Sequence, residues 1–139
     1  MSKVANILMI CVMKPRIEND DSTDIFEQIS TLLSDAETVV TRVPNPDQAI
    51  TMITEGSTIY DLVIIDREIF KAWKKGFIAV LGLELQEYRR VQPPVALIGQ
   101  FNGDTSAIGR LTAMGYIAVL NADNDPAKLA EQIKRVAPC

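Results

Sequence analysis

Apolar residues recur along this chain in two alternating rhythms. Short, nearly continuous runs at Asn6–Met13, Thr38–Val43, Leu62–Ile65, Val95–Ile98 and Tyr116–Leu120 predict strands, the first of them covered on both faces. Between the runs, apolar positions spaced three and four apart predict helices. Ile25, Ile29, Leu32 and Leu33 form one such face; Ala49, Ile50 and Ile53 form a second; Leu129, Ile133 and Val136 form the last. The stretch from about Ile69 to Val91 is long for one helix. It carries Trp73, Phe77, Leu81, Leu85 and Tyr88 on one stripe, and Gly76 and Gly82 weaken it enough to allow a break.

Local signals punctuate the same pattern. Asn45-Pro46 and Asp125-Pro126 each pair a capping side chain with proline in the first turn. Asp24 with Glu27 has the spacing of a capping box, and Asp104 can cap the fourth helix. Gly56 and Gly115 are expected to close helices, and Pro93-Pro94 to end the long stretch. No repeat, linker or low-complexity tract interrupts the alternation. The expectation is one domain over residues 1–139: α/β, a doubly wound (βα)5 arrangement on a five-stranded parallel sheet. In such sheets the functional edge lies at the carboxyl ends of the strands.

Composition narrows the function. Hydrophobic residues make up 47% of the chain and charged residues 23%, as in ordinary globular domains. The formal charge of -4 argues against a nucleic-acid partner, which usually requires a basic patch. No apolar run approaches the roughly 20 residues of a membrane span. The opening Met-Ser-Lys-Val-Ala-Asn turns polar too quickly for a signal peptide, and a cytoplasmic location is expected. Cys11 and Cys139 make no disulfide framework; Cys11 reads as a small core residue. The chain has no histidine. That absence removes Ser-His-Asp and Cys-His catalysis, a phosphoaccepting histidine and His-bearing zinc sites.

The chemistry that remains centres on Tyr60–Asp66, an apolar strand that delivers one carboxylate, Asp66, at its end. Set among five alternating strands, this arrangement resembles the receiver domain of two-component signalling, of flavodoxin-like fold. The resemblance implies that Asp66 is the phosphoacceptor position, and that Mg²⁺ would be held by an acidic pair closing strand one. It also implies a Ser or Thr after strand four, an aromatic on strand five and a Lys after strand five. Here the acidic pair falls on Cys11-Val12 or Val12-Met13, the hydroxyl on Gly99, the aromatic on Ala118 and the lysine on Asn121. Arg67-Glu68-Ile69 stands where Met-Pro commonly follows the acceptor.

Two readings of the site therefore stand side by side. Asp66 is either a phosphoacceptor served by unorthodox ligands, with Asp20 and Asp21 folding back from the Lys14–Thr23 loop to hold a metal, or a polar strand end accepting backbone hydrogen bonds. In the second case Glu18, Asp20 and Asp21 form a solvated acidic loop, and Arg67 and Asn121 are a surface charge and a turn residue. The loop Gly99-Gln-Phe-Asn-Gly-Asp104 matches neither phosphate-binding glycine pattern.

A second resemblance rests on the long first loop, on Pro94–Gly99 and on Ile117–Asp123. These are similar to the N-terminal wing domain of pyridoxal-phosphate-dependent ornithine/lysine/arginine decarboxylases, which implies oligomer assembly and no catalytic residue. The combined expectation is a non-catalytic receiver-like domain, without cofactor, that works through a protein partner or by self-association as a homodimer or larger. Its expected surface runs over Asp104–Val136, with Arg110, Met114, Tyr116, Lys128 and Lys134 as members. Mg²⁺ enters only if Asp66 is phosphorylated.

Overall fold

The structure, a computed structural model, describes residues 5–11, 25–34, 38–73, 76–99, 101, 104–121 and 125–136. The order of elements is β1 (Ala5–Ile10), α1 (Ile25–Leu33), β2 (Thr38–Val43), α2 (Pro46–Glu55), β3 (Leu62–Asp66), α3 (Arg67–Trp73), α4 (Phe77–Tyr88), β4 (Val95–Gly99), α5 (Thr105–Ala113), β5 (Ala118–Asn121) and α6 (Pro126–Val136). All four strand pairings are parallel, and the spatial order is β2-β1-β3-β4-β5.

The inner strands β1, β3 and β4 are buried on both faces, so the core divides in two. On one side Leu8, Ile10, Val63, Ile65 and Leu97 meet Ile50 and Ile53 of α2, Leu81 and Leu85 of α4, and Leu111 of α5. On the other, Ile7, Met9, Leu62, Ile64 and Ile98 meet Phe26, Ile29 and Leu33 of α1 and Leu129 and Ile133 of α6. Each fully buried Leu or Ile contributes about 1.5–3 kcal/mol by area removed from water. These two layers hold the fold.

The caps follow the sequence closely. Asn45 Oδ1 accepts from the Asp47 N–H at 2.8 Å and Asp125 Oδ1 from the Ala127 N–H at 3.1 Å. Asp104 Oδ1 accepts from the Ala107 N–H at 3.0 Å. Gly56 closes α2 without left-handed backbone, at φ -74°; glycine is required there because a Cβ would collide with the Met52 carbonyl oxygen. Gly115 does adopt the left-handed region, at φ +109°, as α5 ends. The capping box at Asp24 and the acidic loop lie outside the described residues.

The break allowed in the long third stretch falls at Gly76: there are two helices, Gly76 is the extended N-cap of α4, and Gly82 lies within that helix. Three expectations need correction. Phe77, Leu81 and Leu85 keep the buried stripe, but Tyr88 at its end is 44% exposed. The stretch also ends before Pro93-Pro94. Arg89 takes a left-handed conformation at φ 53°, and the Arg89 and Arg90 N–H groups donate back to the Gln86 and Leu85 carbonyls. That is a Schellman closure with arginine in the position glycine usually holds. Finally, strand five begins at Ala118, so Tyr116 precedes it and turns inward.

Tyr116 is therefore no surface residue. It is 2% exposed and meets Phe70 edge to face, with ring centroids 6.1 Å apart. Its ring is large enough to complete the core beneath α5, which is the physical reason it is not available to a partner. Its hydroxyl has no hydrogen-bond partner, and burial pushes its pKa up to about 12.

Two outcomes follow from these features. Because the buried hydroxyl is unsatisfied, Tyr116→Phe is expected to be neutral or to stabilise by about 1 kcal/mol in urea unfolding. The raised pKa favours the neutral phenol in the folded state. The wild type should thus lose stability as pH rises from 10, where the unfolded phenol ionises, to about 12, and Tyr116→Phe should lose less over that window. Separately, Arg89→Gly should relieve the left-handed strain and raise stability by about 1 kcal/mol.

Candidate functional site

The carboxyl edge of the sheet is assembled by register. Ile10 lies beside Val43 and Ile65, Asp66 beside Ile98, and Gly99 beside Asn121. The positions singled out from sequence, Cys11, Asp66, Gly99 and Asn121, thus sit at adjacent strand ends.

The chemistry at that edge is another matter. Asp66, half-buried, ends β3 and starts α3, and its Oδ1 accepts from the Glu68 N–H at 3.1 Å. This is the same side-chain-to-second-residue bond that Asn45 and Asp125 make at their helices. At the end of β1, where one of the two registers sets the acidic pair on Cys11-Val12, Cys11 is fully buried among Ile7, Met9 and Phe26, while Val12 and Met13 lie outside the described residues. Its Sγ accepts from the Arg42 Nε–H at 3.4 Å. A buried soft thiol beside a guanidinium does not fit Mg²⁺, which takes hard oxygen ligands and several waters. Among the described residues no group of three His, Cys, Asp or Glu side chains could hold a metal. Asp20 and Asp21 lie outside them.

Arg67 fills the next position. A Cβ built on Gly99 would lie 2.5 Å from Arg67 Cβ and 2.8 Å from its Cδ. The arginine stem thus occupies the space into which a hydroxyl side chain at the end of β4 would project. Its guanidinium carbon then sits 4.3 Å from the centroid of the Phe101 ring, and Phe101 is 3% exposed. Such a cation–π contact contributes about 0.5–1 kcal/mol when exposed and more when desolvated. Sequence reading treated Arg67 as a surface charge. The signal that could have found its role is the coincidence of a glycine closing β4, an aromatic two residues later and a long side chain directly after the strand-three carboxylate.

The remaining candidates lie at the far side of the sheet. Arg110 on α5 and Met114 at its C-cap are exposed, Met114 by 47%, and Ile117 joins them at 54%. Lys128 and Lys134 are exposed on α6, but their spacing puts them about 120° apart on the helix, so they share no stripe. A cavity of about 570 Å³ opens at the opposite, amino-terminal edge, walled by Ile53, Tyr60, Arg90, Val91 and Pro93. Arg90 braces it, donating from Nη1 to the Ile53 and Gly56 carbonyls at 3.1 and 2.8 Å.

No family model matches the chain, and no curated protein matches it. Solved structures do. A response regulator from Thermotoga maritima is similar with a TM-score of 0.68 at 17% identity, over 96% of this chain and 98% of that one. The signal receiver domain of a Bacteroides fragilis response regulator gives 0.66 at 20% identity, over 99% of both chains. The CpaE2 pilus assembly protein of Sinorhizobium meliloti gives 0.64 at 20% identity, over 95% of this chain and 99% of that one. The chain has the α/β fold of response-regulator receiver domains.

Proposed function

We propose that this chain is a cytoplasmic, non-catalytic receiver-like domain that acts in signalling or assembly through protein–protein contact, its phosphoryl chemistry lost. The observation that carries the proposal is the Arg67 stem packed on Gly99. It takes the place where a phosphoryl-contacting hydroxyl would project. The Asp66 bond to the α3 backbone and the buried Cys11 thiol support it from the neighbouring strand ends. Likeness to both receiver domains and a pilus assembly protein supports a role in signalling or assembly. The surface for a protein partner is the α5–β5–α6 margin, with Arg110, Met114 and Ile117 on the α5 side and Lys128 and Lys134 on α6.

The test is intact mass after incubation with Mg²⁺ and acetyl phosphate, beside an Asp66→Asn control. No adduct is expected on either protein. A phosphoryl group on the wild type, absent from the control, would establish a working switch in place of this reading. The packing itself is checked by a double-mutant cycle. Gly99→Ser should destabilise by about 1–3 kcal/mol by overpacking, and much of that loss should vanish when Arg67→Ala removes the stem.

A further inference from the structure

The two edges of the sheet are built differently. β5 is four residues long, and a short edge offers little to an incoming strand. β2 is six residues long, Thr-Val-Val-Thr-Arg-Val, five of them β-branched, with neither proline nor glycine to interrupt it. Among the described residues no strand pairs with its outer side. Edge strands are commonly protected from pairing by charge. The one charged side chain of β2, Arg42, lies in register with Met9 on the α1/α6 face and donates its Nε–H to the Cys11 thiol.

Apolar surface flanks this edge on both faces. Val39, in register with Asn6, is on the α2 side and 49% exposed. Leu32 of α1, the helix that packs against β2 on the other side, is 46% exposed. A polar main-chain edge bordered by apolar side chains above and below matches one kind of occupant, another extended strand carrying its own flanking helix.

We propose that this occupant is a second copy of the chain, with β2 paired antiparallel to β2 about a two-fold axis to make one continuous ten-stranded sheet. The strand is compatible with itself. Two-fold registers centred on Val40 or Thr41 place Arg42 opposite Thr38 or Val40, so no like charges face each other. The same axis sets the two α1 helices side by side, where both copies of Leu32 can leave water. An isologous interface of this kind closes at the dimer and leaves the α5–β5–α6 margin at each outer end free. The inference stands on the β2 edge and does not depend on whether Asp66 is phosphorylated.

Sedimentation equilibrium of the full chain over a concentration series tests it, with circular dichroism to confirm folding. The wild type should show a reversible monomer–dimer equilibrium. Val39→Lys, which adds a charge to the edge, should weaken it about tenfold or more. Leu32→Lys, on the separate helical element, should weaken it in the same direction, and it serves as the main variant if Val39→Lys does not fold. Ile117→Lys, on the opposite margin, should leave it unchanged. A wild type that stays monomeric at every concentration would overturn the proposal. So would a dimer indifferent to both edge variants, or one dissolved by Ile117→Lys.

Discussion

A strand with neighbours on both sides and helices on both faces can carry polar groups only at its ends. β3 is that strand here. Leu62 to Ile65 are wholly buried, and the chain brackets them with two carboxylates. At the entrance Asp61 is 8% exposed and its Oδ2 accepts from the Asn6 N–H at 2.8 Å, tying the starts of β1 and β3 together. At the exit Asp66 accepts from the Glu68 N–H and starts α3. A buried carboxylate without such donors would be costly, so each has a structural task before any chemistry is asked of it. The register of β3 aligns the ends of its two neighbours, β1 and β4, beside it.

That constraint explains how much of the molecule was legible beforehand. Continuous apolar runs have only one stable use in an alternating chain, so the parallel sheet and its five strands could be read directly. Side-chain caps were legible for the same reason: Asn45, Asp104 and Asp125 act within two or three residues of themselves. The errors fell where distant packing decides. The third helical stretch stops at Arg89 through a left-handed residue that has no glycine to announce it. Tyr116 has a side chain at home in either a core or a surface, and its contact with Phe70, 46 positions earlier, is invisible to any local pattern.

The candidate site divides along the same line. Its location was legible, because register alone brings Cys11, Asp66, Gly99 and Asn121 to one edge. Its content was only half legible. The resemblance set Gly99 where a hydroxyl was expected, but nothing local announced that the Arg67 stem occupies the space such a side chain would fill. A long cationic residue reads as solvated until its stem is seen against Gly99 and its head over Phe101. The resemblance to a decarboxylase wing leaned on the loop between β1 and α1, which lies outside the described residues. The strands it shares with receivers cannot separate the two families.

In the proposed reading, the arginine also bears on whether this fold can switch. A ligand shifts a conformational equilibrium only by its differential affinity for the two states. In a phosphorylatable receiver the differential would come from a phosphoryl group and Mg²⁺ entering an open site. Here the comparable space is already filled by covalently attached groups, the Arg67 stem against the Gly99 backbone and its guanidinium over Phe101. An arriving phosphoryl group would have to displace those contacts, so its differential affinity would start from a deficit. In that reading such a domain would hold one state by its own packing. Its partners would then recognise a constant surface, and any regulation would have to act on whether the partner is present or on how many copies associate.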